Sequence, residues 1–249
     1  MEWYEILLLV AAGVIAGFIN TLAGSGSLLT LPLFMAFGLS APVANGTNRI
    51  GILFQSITSV FSFKKQNLLD FPTALKIAIP SVIGSVLGAW IAVDINERVM
   101  KTTIGILLIL MFFLILWKPN RWIKDNAGHP PLPLWVQVII FFFVGMYGGF
   151  IQAGVGFFLL AALVIASGLD LIRANALKVL LILLYTPFSL AIFIMNHQVD
   201  YKLGLIVAAG GIIGAWIGAK MSVTWGPVVV RYILLGTLLV ASAKLLGVF

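Results

Sequence analysis

The chain alternates apolar runs of about 20 residues, the length a helix needs to cross roughly 30 Å of hydrocarbon, with short polar gaps. The runs predict spanning helices at about 3–22, 43–63, 72–93 and 99–117, then at about 134–152, 173–195, 203–221 and 227–246. Two shorter apolar pieces, 27–37 and 157–167, each follow a glycine-rich break and at about eleven residues are only half a crossing. The fold class expected is therefore an all-α integral membrane protein with about eight transmembrane helices plus two short half-helices.

The pattern repeats. A shift of 130 residues lays Ala23-Gly24-Ser25-Gly26 on Ala153-Gly154-Val155-Gly156, Ala44-Asn45 on Ala174-Asn175, Asp70 on Asp200, Gly84 on Gly214 and Gly88 on Gly218. Upstream of the glycines the shift becomes 132 and lays Gly13, Gly17 and Asn20 on Gly145, Gly149 and Gln152. Two homologous helical repeats, 1–117 and 134–249, are expected, joined by a polar, proline-containing linker at 118–133 that cannot be a spanning helix. The first run is then the counterpart of an internal helix, and with Glu2 and Glu5 before it, it does not read as a cleavable signal. If the short pieces are re-entrant, each repeat crosses four times and the copies are parallel. If they complete a crossing, each repeat crosses five times and the copies are inverted. Basic residues gather around Lys64-Lys65 and the linker under either threading, so charge does not choose. The preferred arrangement is eight spans with two half-helices and a cytoplasmic linker.

Composition agrees with that class: 61% of the 249 residues are hydrophobic and 9% charged, a balance that leaves little chain for a soluble domain. The net charge of +7 comes from Lys and Arg scattered singly or in pairs at the ends of apolar runs. That pattern faces lipid headgroups and sets orientation rather than binding nucleic acid. Cysteine is absent and the two histidines, His129 and His197, fall in predicted loops, which leaves almost no material for a metal centre or a histidine-based catalytic site. No cofactor, metal or catalytic residue is expected.

Two polar constellations carry the functional expectation. Glycines at membrane depth free backbone amides that lipid cannot satisfy, so Gly24, Ser25 and Gly26, with Gly154 and Gly156, should be buried or line a cavity. Amides opening a half-helix carry partial positive charge suited to an anion, and Asn20 and Gln152 adjoin the breaks. The second constellation is Asn45, Thr47, Asn48 and Arg49 near the start of one span, with Asn175 and Lys178 near the start of its counterpart. A cation inside a span is costly unless it faces a cavity or partner; the competing reading is that Arg49 and Lys178 snorkel to the headgroups. The glycines at 84, 88, 210, 211, 214 and 218 read instead as close-packing positions. Gln55, Tyr185 and Asn196 read as packing or interface residues and are left out of the site. All eight acidic residues fall at helix ends or in loops, so a carboxylate cation path is not expected and the cargo should be a small anion.

These residues resemble the sulfite exporter TauE/SafE family, also called the toluene-sulfonate uptake permease family. The resemblance is carried by Asn20-Thr-Leu-Ala-Gly-Ser-Gly-Ser27 leading to Pro32, by Ala44-Asn-Gly-Thr-Asn-Arg49, by the break at 154–156 and by Ala174-Asn-Ala-Leu-Lys178. Departures are Ser25, where the family often has glycine, and the apolar Val155 and Phe157 in the second break. The resemblance implies a multi-pass protein of the bacterial inner membrane that moves sulfite, sulfoacetate or another sulfonate, with the breaks forming the central site. A secondary transporter working by alternating access is the leading expectation. A passive anion channel is the alternative, and a membrane enzyme or scaffold is a more distant one. The oligomeric state does not follow from the sequence.

Overall fold

The computed structural model describes residues 1–116 and 130–222, with side chains to residue 110 and from 130. The expected span at 227–246 and most of the expected linker lie outside the described residues. Those described form nine helices: α1 Trp3–Ala23, α2 Ser27–Ala36, α3 Ala41–Lys65, α4 Phe71–Val93, α5 Glu97–Leu116, α6 Leu134–Phe150, α7 Val155–Ser167, α8 Leu171–Met195 and α9 Tyr201–Met221. Four of them, α1, α4, α8 and α9, are long and apolar enough to cross a membrane on length and composition alone. In α3 that reading is interrupted by the Asn45–Arg49 polar cluster.

Acidic residues start several of these helices. Asp70, Asp170 and Asp200 each accept hydrogen bonds from first-turn amides of α4, α8 and α9, which satisfies donors that have no partner inside the helix. The carboxylates are thereby used at the helix ends rather than within the bilayer.

Contacts between neighbouring helices fix their directions. Val10, Val14 and Phe18 of α1 meet Gly210, Gly214 and Gly218 of α9 in the same order, so these two helices run parallel. Ser81 and Ser85 of α4 meet Gly145 and Gly149 of α6 in the same way. Along α3, Thr47 binds the amide of Asp200, Gln55 abuts Gly211 and Gln66 reaches the Ala219 carbonyl, so α3 is parallel to α9. It is antiparallel to α8, because Arg49 meets Ser189 while Phe63 packs with Ala176 and Val179. Gln137 near the start of α6 meets Ser167 just before α8, and Gly148 near its end meets Tyr185, so α6 is parallel to α8; helices α1, α3 and α9 therefore share one direction and α4, α6 and α8 the other. Since α1 and α3 point the same way, the chain returns between them through Gly24–Gly26 and α2.

The close pairs are glycine-lined. A Cβ on Gly13, Gly17, Gly210 or Gly214 would enter the backbone of the facing helix in the α1/α9 pair. The same holds for Gly84, Gly88, Gly145 and Gly149 between α4 and α6. Such contacts stabilise helix pairs in lipid through close van der Waals approach. Each pair joins a helix from the first half of the chain to one from the second, so the halves interlock. The described residues with positive φ also fall at one interval: Gly24 and Gly154, Gly38 and Gly168, Asn67 and His197 are each 130 apart.

Candidate functional site

The two glycine-rich breaks meet. Gly24 terminates α1 at φ +73° and Gly154 precedes α7 at φ +72°, left-handed conformations that glycine adopts without steric penalty. The Gly156 amide donates to the Gly24 carbonyl at 3.1 Å. A Cβ on either glycine would enter the other's backbone. The chain reversals after α1 and α6 thus cross in direct contact, which requires glycine on both sides.

Beside this crossing lies a small cavity between α1, α3, α8 and the second break. Asn20, Thr21, Gln55, Ser56, Ser59 and Gln152 form its polar wall, and Ile52, Val155, Val179 and Ile182 its apolar one. Its open space suits about one water molecule. The polar side chains are ordered by one another. Asn20 donates to Gln55 Oε1 at 2.9 Å and accepts from the Gly26 amide at 2.9 Å. Thr21 and Ser59 share a hydrogen bond of 2.7 Å. Gln152 donates to Thr186 at 3.3 Å and sits 3.5 Å from the Tyr185 hydroxyl.

Arg49 and Lys178 are both fully buried, so neither snorkels. Arg49 donates to the carbonyls of Gly148 and Gly149, to Ser189 at 2.9 Å and to Gln152 at 3.3 Å, and its guanidinium lies 4.4 Å from the Phe193 ring centre. Asn45, one turn earlier, donates to the next carbonyl, Phe150. Lys178 donates to the carbonyls of Asn20 and Thr21, each at 3.2 Å, and to Asn175 Oδ1 at 2.6 Å. Each cation therefore covers the last carbonyls of the helix that ends at a break, α6 for Arg49 and α1 for Lys178. Those carbonyls carry the negative end of the helix dipole, and beside Lys178 the Asn20 carbonyl also accepts from the capping Gly24 amide at 2.8 Å.

The other residues expected in the site are placed differently. Asn48 accepts from Thr30 at 2.5 Å and donates to Ser27 at 3.0 Å, which ties α2 to α3. Thr47 accepts from the Asp200 amide at 2.8 Å and joins α3 to the start of α9. Ser25 turns to the Ala23 carbonyl at 3.4 Å. The structure thus brings Asn20, Gln152 and the five break residues to the centre, sets Arg49, Asn45, Asn175 and Lys178 one layer out, and leaves Thr47 and Asn48 as ties between helices.

The sequence reading missed Thr21, Ser56, Ser59, Thr186 and Ser189, and set aside Gln55 and Tyr185. A signal exists for all of them but Thr21: Gln55, Ser56 and Ser59 recur at the 130-residue interval as Tyr185, Thr186 and Ser189, a spacing that puts each trio on one helical face.

Electrostatically the centre is positive. Among the described residues the ion pair found, Arg173 with Asp170 at 3.5 Å, lies at the surface, and no cluster of three potential metal ligands occurs. Among the described residues, Arg49 and Lys178 are held by dipoles and by no carboxylate. Arg49 reaches Gln152 of the cavity wall, and Lys178 reaches the backbone of Asn20 and Thr21 in the same wall. A full positive charge behind such a wall favours an anionic ligand over a neutral or cationic one. The arrangement offers neutral donors at close range and cationic charge behind them.

Comparison with known proteins gives a consistent result. Residues 9–245 match the model of the family described as sulfite exporter TauE/SafE. A probable membrane transporter protein of Haemophilus influenzae is 27% identical over 226 residues, 91% of this chain and 88% of its own. The probable membrane transporter protein YfcA of Escherichia coli K12 is 30% identical over 235 residues, 94% of this chain and 86% of its own. The probable membrane transporter protein ORF9 of a Sinorhizobium species is 26% identical over 247 residues, 99% of this chain and 94% of its own. No solved structure matches.

Proposed function

The chain belongs to the sulfite exporter TauE/SafE family, a family of membrane transporters rather than enzymes, and on that premise we propose that it is a secondary transporter of a small anion, sulfur-containing, such as sulfite, sulfoacetate or another sulfonate. The observation that carries the anion reading is the pair of buried cations without carboxylate partners behind a wall of neutral donors where the two breaks cross. The anion sits against Asn20, Gln152, Gln55 and Ser59, beside the break residues Gly24, Ser25, Gly26, Gly154 and Gly156, of whose amides those of Gly24, Gly26 and Gly156 are already bonded within the protein. Arg49 and Lys178 supply charge and hold the broken helix ends, steadied by Asn45 and Asn175. Thr47 and Asn48 hold the supporting helices.

The reading of 1–117 and 134–249 as two copies is supported by the shared interval of the positive-φ residues and of the polar trios on α3 and α8. The common direction of α1 and α3 favours five crossings per copy with the copies inverted, over eight spans with two re-entrant pieces. Basic ends favour a cytoplasmic linker: Lys64, Lys65, Lys76, Arg173 and Lys220 lie at the linker end, against Arg98, Lys101 and Lys202 at the other. The bacterial relatives favour an inner membrane.

A site with space for about one water must open to admit a sulfur oxyanion, which is what alternating access supplies. Because the halves interlock, the bodies that rock are mixed: α1, α2 and α3 move with α9, and α6, α7 and α8 move with α4. They part along the α3/α8 seam and the crossing of the breaks.

Uptake of labelled sulfite and sulfoacetate into liposomes carrying the purified protein tests this. Saturable uptake of one of them, lost in the Asn20→Ala and Gln152→Ala variants, is the expected result. If correctly folded protein moves none of the sulfur anions, or if both variants transport normally, the proposal fails.

A further inference from the structure

A second feature binds charge at the edge of the molecule. The parallel helices α3 and α9 end together, and between their last turns lies an open groove of about 540 Å³ lined by Ile57, Phe61, Lys65, Gln66, Trp216 and Lys220. Lys65 and Lys220 stand at its mouth, both exposed, and Lys220 lies over the Trp216 ring at 3.8 Å from its centre. Deeper along the groove, Ile57 is eight residues from Lys65, about 12 Å at the helical rise, and Phe61 is 64% exposed. Cationic heads at the helix ends, a tryptophan at the boundary and an apolar floor beneath follow the order of a bilayer leaflet.

We propose that this groove is a binding site for an anionic phospholipid, with Lys65 and Lys220 on the phosphate and an acyl chain along Ile57 and Phe61. Charge complementarity and depth select that occupant. A soluble phosphate would use the lysines but leave the apolar floor bare, whereas a zwitterionic lipid would fill the floor and gain less from two cations. The groove is also one-sided. At the 130-residue interval Lys65 becomes Met195 and Lys220 becomes Trp90, so the corresponding α8/α4 edge carries no such pair. The pair lies at the end of the molecule that also carries Lys64 and Lys76, where the leaflet supplies anionic lipid if that end is cytoplasmic.

The test compares the wild type with Lys65→Gln/Lys220→Gln in detergent micelles doped with phosphatidylglycerol or phosphatidylcholine, counting retained lipid by native mass spectrometry. Both lysines are exposed, so the variant folds. The expected result is retention of phosphatidylglycerol by the wild type in preference to phosphatidylcholine, with affinity about thirtyfold lower in the double variant, each lysine near an anionic surface contributing about fivefold. Equal retention by wild type and variant overturns the proposal. So does full competition by glycerol 3-phosphate, which would make the site one for soluble phosphate.

Discussion

Gly24 and Gly156 touch backbone to backbone, the amide of one bonded to the carbonyl of the other at 3.1 Å, although 132 residues separate them in the chain. This contact places the ends of α1 and α6 against each other and leaves Asn20 and Gln152 on one cavity wall. A side chain at either glycine would push apart the segments that the proposed site is built from.

Gly24→Ala and Gly156→Ala should each reduce the yield of monodisperse protein in detergent and abolish transport. Gly24→Ala adds a left-handed strain of about 1 kcal/mol to the steric clash. Gly105→Ala in α5 is the control. A Cβ there meets nothing within 4 Å, and it should be neutral or stabilise by about 0.5 kcal/mol. Size-exclusion profiles of the three variants decide the matter, and normal behaviour of Gly24→Ala would rule out the close crossing.

Lys178→Met should separate from Ser59→Ala. The first takes a donor from the Thr21 carbonyl and from Asn175 Oδ1, a loss of about 2 kcal/mol that lowers the apparent Tm by roughly 5 °C. The second removes one hydrogen bond at a cavity wall, costs about 1 kcal/mol or less, and should lower transport about tenfold if Ser59 contacts the anion. Melting curves and uptake measured on the same preparations test the division of roles. A Lys178→Met protein as stable as the wild type would contradict the covering of the α1 carbonyls.

Arg49→Lys keeps the charge but cannot span Gly148, Gly149, Gln152 and Ser189 together, because an ammonium lacks the planar fork. An apparent Tm lower by about 5 to 10 °C is expected, with little recovery of transport compared with Arg49→Ala. If lysine restores both, net charge alone is what position 49 requires.

The absence of native cysteine makes crosslinking direct. A cysteine pair at Phe61 and Trp216 lies within one proposed moving body, whereas a pair at Ile50 and Leu190 bridges two. Bifunctional maleimide should leave uptake intact in the first and stop it in the second. Inhibition by the first with none by the second would mean that the bodies divide elsewhere.

Much of the helical layout was legible in the sequence. The apolar runs locate the nine described helices to within about two residues at most ends, and the systematic error has a cause. Helices α3, α5, α7, α8 and α9 begin two residues before their predicted spans; in α5 and α9 the added turn holds Glu97, Arg98 and Lys202, charged residues that an apolarity reading assigns to the loop. At the end of α6 the error is reversed, since Gln152 falls beyond Ile151, which is already extended at φ −138° and ψ 128°.

The centre was only partly legible. Breaks, Asn20 and Gln152 stand out because amides are rare in apolar surroundings and the paired glycines recur beside them in both halves of the chain. The partners of Arg49 and Lys178 do not, because they are backbone carbonyls on another helix and every residue has one. Ser56 and Ser59 were passed over for a related reason: a serine in a membrane helix commonly bonds to its own preceding turn, as Ser81 does with Ile77, and nothing local distinguishes one that faces a cavity.

The interlocked packing also sets an order of events during synthesis. When α1 and α4 enter the bilayer their glycine-lined faces have no mate, for α9 and α6 are still to be made. The first half of the chain must wait in lipid with those grooves open, at risk of pairing with a neighbouring copy. Closure comes only when α6 reaches α4 and, later, when α9 reaches α1, so these close glycine-lined contacts form late. A nascent chain stalled before residue 134 should therefore be handed to membrane proteases, and one stalled after α9 should escape them.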